Sequence, residues 1–294
     1  MLNKAWSGKM GGTQWMQQSL ISMFRLFNPV YVYPIMWIWV TVSILTGRAG
    51  REGIYYYWHN RLGYSRWASI RHLFLTYIEF GKAILDRFAA WGGRKIKTRI
   101  ENKELLDYLI NQPTGFIFIG SHIGNQELGG YYFVMPKPTY VLAYTGDTET
   151  VNKNRATTFE RMGLKIIPYL EDGSHIFDMH QAIANGNILS IHGDRMFYGE
   201  RTLREKIFGE EANFPEGTFK VAAIEKVPII SLFMMREKHD SYILYVRQLS
   251  DGHYQTSNHK QQAQEILRSY IQTIEEMMEK YPHQWFQFYH FWEK

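Results

Sequence analysis

The stretch Gly115-Phe-Ile-Phe-Ile-Gly-Ser-His-Ile-Gly-Asn-Gln-Glu127 decides how the chain is read. Residues 115–120 form a short apolar run, the pattern of a strand buried on both faces. Small polar residues and a second glycine then break the strand, and residues 128–134 open a helix-like segment. His122 and Glu127 thus fall where a strand of an open α/β sheet delivers side chains into a crevice. An imidazole with a carboxylate five positions on is a candidate base and orienter for a hydroxyl. The spacing itself is common in unrelated chains.

Outward from this stretch, apolar runs alternate with helical periodicity. Helices are predicted over residues 101–111, 128–134, 151–162, 174–184, 215–225 and 260–280, and strands over 116–119, 139–144, 164–168, 187–191, 229–234 and 242–247. This alternation predicts an α/β fold, a mostly parallel central sheet with helices on both faces.

Upstream, no residue between Leu26 and Thr46 is charged, and Arg25 and Arg48 bracket the run. Its length is close to the roughly 20 residues that cross a bilayer, but Pro29 and Pro34 interrupt its front half. Insertion, lodging at the interface, and a buried hairpin of the folded domain all remain open. Residues 51–91 carry apolar positions at helical spacing and stop at Gly92-Gly93. Arg94, Lys95, Lys97 and Arg99 follow as a basic patch, suited to anionic headgroups or to a solvated linker. The chain is divided into a membrane-associated segment over 1–50 and a catalytic domain over 51–294.

The 294 residues include 9 Trp, 20 Tyr and 18 Phe, which fits either a generous core or an aromatic membrane interface. The net charge of +5 suits an anionic surface or a phosphorylated substrate. The absence of cysteine excludes a thiol nucleophile, a disulfide framework and a cysteine metal site. There is no Walker loop, no dinucleotide fingerprint and no Gly-x-Ser-x-Gly elbow, and the histidines show no metal-ligand spacing.

Two further motifs sit at element ends. Ser190-Ile-His-Gly-Asp-Arg195 follows a predicted strand, and a carboxylate beside a guanidinium there suits a phosphate site or a surface ion pair. Phe214-Pro-Glu-Gly-Thr-Phe-Lys220 opens a helix; Thr218 or Lys220 could reach an anion, or the segment simply starts the helix. The aromatic tail 281–292 suits an acyl-chain pocket, a membrane interface or core packing.

Taken together, His122-x4-Glu127, Gly193-Asp194-Arg195, Phe214-Pro-Glu-Gly-Thr218, Val227-Pro228 and Gln284-Trp285-Phe286 resemble the lysophospholipid acyltransferase superfamily. Trp6-Ser-Gly8 and Ile84-Leu-Asp-Arg87 are similar to its lipid A biosynthesis (late, secondary) branch. The resemblance implies transfer of a fatty acyl group from an acyl carrier protein or acyl-CoA thioester to a lipid hydroxyl, with a lipid A precursor as preferred acceptor. An aminolipid or lysophospholipid acceptor, or a non-catalytic lipid-binding protein, are the rival readings. In this picture His122 deprotonates the acceptor and Glu127 holds the ring, with backbone amides near 120–124 or a basic side chain for the oxyanion. Asn125, Asp194, Arg195 and Glu216 are assigned to substrate binding. Arg155 and Arg161 are both available for the arginine that relatives carry between the two strand-end motifs, though neither falls at the matching spacing. The Phe-Pro-Glu-Gly-Thr motif lies later than its phosphate-binding counterpart in glycerolipid acyltransferases, which separates Glu216 from that role. The resemblance also implies no metal, cofactor or nucleic acid, and a place at the cytoplasmic face of a bacterial inner membrane.

Overall fold

The computed structural model describes residues 14–132, 135–143, 159–160, 163–196, 200–238, 241–288 and 290–292. Helices α1 (Gln14–Leu26), α2 (Met36–Thr46) and α3 (Arg48–Tyr56) come first, with two 3₁₀ turns, Pro29–Tyr31 and Tyr33–Ile35, before α2. The prolines of the apolar run account for these turns, since each lacks an amide donor and sits at the start of a turn. The predicted helix over 51–91 is divided: a π turn, Tyr57–Arg61, follows α3, and α4 (Arg66–Trp91) begins only after Ser65 caps the Ala68 N–H.

The α/β body is built from β1 (Lys97–Glu101), α5 (Lys103–Asn111), β2 (Phe116–Gly120), α6 (Gln126–Tyr132), β3 (Thr139–Ala143), β4 (Leu164–Pro168), α7 (His175–Ala184) and β5 (Ile188–His192). It continues with a hairpin of β6 (Thr202–Ile207) and β7 (Glu210–Pro215), then α8 (Glu216–Glu225), β8 (Ile229–Lys238), β9 (Ser241–Ser250) and α9 (His259–Lys280). The main sheet has the order β1-β9-β8-β2-β5-β3-β4. The strands β8, β2, β5, β3 and β4 are parallel; β9 turns back on β8, and β1 lies parallel to β9.

Both faces of the sheet are cored, as the unbroken apolar runs require. Ile117, Ile119, Leu189 and Ile191 pack toward α7, α8 and α9, while Phe116, Ile188, Ile230 and Met234 pack toward α5 and α6. The basic patch is not a linker: β1 forms from it, and Arg99 pairs with Glu237 at 2.6 Å. The hairpin β6–β7 has no counterpart in the sequence reading, because its strands alternate charged and apolar residues too briefly to stand out. The predicted helix over 151–162 lies outside the described residues apart from 159–160, which are helical.

The aromatic tail packs into the core. Trp285, Phe286, Phe288, Phe291 and Trp292 are all buried, with Trp285 edge-on to Tyr57 at 5.2 Å. The apolar run is treated differently. It is not a buried hairpin: only 17% of Pro29–Thr46 is buried. It lies along α4 with Trp37, Ile38, Trp39 and Leu45 each more than half exposed.

Candidate active site

Register brings the two strand-end motifs together. In the parallel pair β2/β5, Gly120 stands opposite His192. His122 and Asp194 therefore both leave the sheet two residues beyond adjacent strand ends. The Asp194 carboxylate, fully buried, accepts the His122 main-chain N–H at Oδ2 (2.6 Å) and the His122 ring nitrogen Nδ1 at Oδ1 (2.9 Å). Gln287 Nε2 donates to the same Oδ2 at 3.0 Å. A carboxylate at Nδ1 fixes the ring proton there, which leaves the Nε2 lone pair for chemistry. Burial by itself would raise the Asp194 pKa; the charge and hydrogen bonds of His122 outweigh it and hold the carboxyl down at about 2.

Local backbone chemistry fixes the loop that carries His122. Gly124 adopts φ +68°, and a Cβ there would lie 2.3 Å from the Met234 carbonyl oxygen, so only glycine fits. The Gly124 N–H donates to Gln284 O, the Asn125 N–H to Met234 O, and Phe286 N–H to His122 O. Ile123 and Trp285 form an isolated bridge. The tail 284–287 is thus a strap across the site, which the sequence showed only as an aromatic cluster. Beneath it, Tyr270 on α9 donates to Gly120 O at 2.7 Å, and its ring lies so close to Gly193 that a Cβ would meet it at 2.9 Å.

A cavity of about 310 Å³ opens beside His122. Val141, Leu142, Ile176, Met179 and Val221 give it apolar walls, and His192, Arg195 and Thr218 give it polar ones. His192 stacks on His122 with ring centroids 4.8 Å apart. Burial first, and then the neighbouring His122, push the His192 pKa down to about 3, so this ring is neutral across the physiological range. The ligand atoms of His122, His192 and Asp194 lie within 4.8 Å of one another, close enough to meet at one cation, but the Asp194 oxygens are already committed to the donors above.

The structure thus gathers His122, Asp194 and Arg195 around one cavity. It gives the other candidates different surroundings. Glu127 does not hold the imidazole: it lies in the first turn of α6 and forms an ion pair with Arg87 of α4. Helix winding after Gln126 turns its side chain toward α4 instead of the strand end. Asn125 is 4% exposed and pins the loop, donating to Ala83 O at 2.9 Å and to Tyr242 Oη at 3.4 Å; it is not among the cavity's lining residues. Glu216 opens α8 and faces Lys220 at 3.9 Å, outside that lining, whereas the Thr218 hydroxyl donates to His192 O. Arg155 and Arg161 lie outside the described residues. Sequence reasoning passed over His192 and Gln287; the register of β2 with β5 was the missing signal for the first, and no local signal existed for the second.

This geometry can remove a proton from a hydroxyl held beside an apolar chain. No curated protein matches the chain. The family model for bacterial lipid A biosynthesis acyltransferases matches residues 73–294, from within α4 through the strap, and so spans every residue of the site just described. The chain belongs to the bacterial lipid A biosynthesis acyltransferase family and is an acyltransferase acting on lipid A-like substrates.

Proposed function

We propose that the protein transfers a fatty acyl group from an acyl carrier protein or acyl-CoA thioester to a hydroxyl of a lipid A precursor, with His122 as general base. The observation that carries this reading is the buried Asp194–His122 hydrogen bond at the rim of an apolar-walled cavity. Asp194 orients the ring, and His122 Nε2 takes the hydroxyl proton as the oxygen attacks the thioester carbonyl. The apolar walls receive the acyl chain. Arg195, beside them, offers a planar fork for a phosphate of the acceptor or of the donor's phosphopantetheine arm. Glu127 acts with Arg87, as an ion pair that sets the start of α6 next to the loop.

The N-terminal run supports a membrane location. The apolar stretch Pro29–Thr46 is 18 residues long and only 17% buried, and two 3₁₀ turns interrupt its front half before α2. The run associates with the bilayer through this exposed apolar face, with Trp37 and Trp39 suited to the headgroup region. Each large apolar side chain that passes from water into lipid contributes roughly 1.5–3 kcal/mol.

The test is release of free thiol from long-chain acyl carrier protein and acyl-CoA thioesters, offered with a lipid A precursor, an aminolipid or a lysophospholipid. The reading expects turnover that depends on the lipid A precursor. Turnover only with another acceptor, or none with any, contradicts it.

A further inference from the structure

An oxyanion forms on the thioester carbonyl when the hydroxyl attacks, and it needs a preorganised donor. The loop that carries the base has few donors left to give. The His122 N–H is spent on Asp194, the Gly124 N–H on Gln284 O and the Asn125 N–H on Met234 O. The Gly193 N–H, on the neighbouring strand end, is spent on Gly120 O, and the Thr218 hydroxyl on His192 O.

One side chain stands beside the base with a ring nitrogen to spare. His192 ends β5, lines the cavity, and stacks on the His122 ring at 4.8 Å with 28° between the planes. Its Nδ1 is buried and has no hydrogen-bond partner. A proton on that nitrogen would be a buried donor without an acceptor. The ring lines the cavity, so the proton is assigned to Nε2, the nitrogen not so buried.

We propose that His192 is a catalytic residue, a neutral imidazole whose Nε2–H donates to the thioester carbonyl oxygen and to the oxyanion it becomes; this rests on the acyl-transfer reading above. His122 Nε2 takes the acceptor's proton while the acceptor oxygen bonds to the carbonyl carbon. The carbonyl electron pair moves onto oxygen, where the His192 N–H holds it. Collapse restores the carbonyl and breaks the carbon–sulfur bond, and the proton on His122 passes to the leaving sulfur. The products are an ester and a free thiol, and His192 gains and loses no proton. The surroundings favour that neutrality: burial, His122 and Arg195 all oppose a charge on the ring, and Asp194 alone among the neighbouring charges favours it.

Two measurements on the full chain in detergent test this. The first is nitrogen NMR of histidine-labelled protein, which reads tautomer and charge without any substrate. The His192 ring should be neutral with its proton on Nε2 at pH 7, and should not titrate until well below pH 5. A Nδ1–H tautomer, or a ring that charges near neutrality, overturns the proposal. The second is steady-state thiol release with a long-chain acyl-CoA or acyl carrier protein thioester and the lipid A precursor. His192→Phe should lower kcat by about 10²–10³-fold, the usual loss for one oxyanion donor, with little change in KM for the thioester. His192→Gln, which keeps a donor, should recover part of that rate. A His192→Phe kcat within a few-fold of wild type, or a loss wholly in KM, overturns the proposal. If His192→Phe does not fold, the His192→Gln kinetics and the NMR decide. An inactive wild type contradicts the acyl-transfer reading and leaves the NMR test standing.

Discussion

Replacing Asp194 with asparagine should abolish most turnover by turning the His122 ring to the wrong tautomer. Oδ2 of Asp194 accepts two donors, His122 N and Gln287 Nε2, and Oδ1 accepts one, the His122 ring. An asparagine keeps the two bonds by placing its amide oxygen at the Oδ2 position. Its NH₂ group then faces His122 Nδ1, which must become an acceptor, and the ring proton moves to Nε2. The base would present an N–H to the acceptor hydroxyl. The same exchange in Ser-His-Asp triads lowers kcat about 10⁴-fold, and a loss approaching that size is expected here. Stability changes as well. A carboxyl held at about 2, against an ordinary 3.8, contributes on the order of 2 kcal/mol at neutral pH. Because the folded-state pKa is the lower one, that contribution is present above about pH 4 and disappears as pH falls toward 2. Thermal melts of wild type and Asp194→Asn should therefore differ at pH 7 and converge in acid. The assay is thiol release with the lipid A precursor, beside melts in the same detergent. An Asp194→Asn enzyme with more than a tenth of wild-type kcat would refute the assigned role.

Other expectations follow from the same contacts. Glu127→Gln breaks the pair with Arg87 but leaves the His122–Asp194 bond intact, so it should cost less kcat than Asp194→Asn; the reverse ranking returns the orienting role to Glu127. Asp86→Ala strands the buried hydroxyl of Tyr242, which donates to it at 2.5 Å. A buried hydroxyl that loses its acceptor costs about 1–3 kcal/mol, so the melting temperature should fall, and an unchanged melt would contradict the network. Trp37→Ser with Trp39→Ser should shift the protein from the membrane pellet toward the soluble fraction, and the wild type should resist a high-salt wash, since apolar burial is not screened by ions. Salt release of the wild type would instead indicate an electrostatic tether.

The central strands and their order of appearance were legible because strands buried on both faces write themselves as apolar runs, unbroken in Phe116–Ile119 and interrupted only by Ser190 in Ile188–Ile191. His122 and Asp194 were legible as residues of parallel strand ends whose loops share one mouth, and the structure places them there. That Asp194 orients the ring was not legible, because it depends on which strands are immediate neighbours: β5 lies beside β2 across 72 residues of chain. Sequence spacing favoured Glu127, five positions from His122, over Asp194, and tertiary pairing reversed the choice. Gln287 was beyond local reading, since a tail glutamine gains its role only when α9 returns the chain to the site. The β6–β7 hairpin and the break between α3 and α4 were hidden for another reason: short alternating strands and a single π turn leave weak periodic signals.

The central claim is that His122 drives acylation of a lipid A precursor. It is tested most directly by mass spectrometry of that lipid after incubation with a long-chain acyl thioester and either wild type or His122→Ala. The account predicts a product heavier by one ester-linked acyl chain with wild type, and a rate lower by about 10²–10⁴-fold with His122→Ala. Equal product from the two proteins, or an unmodified lipid from both, would contradict it.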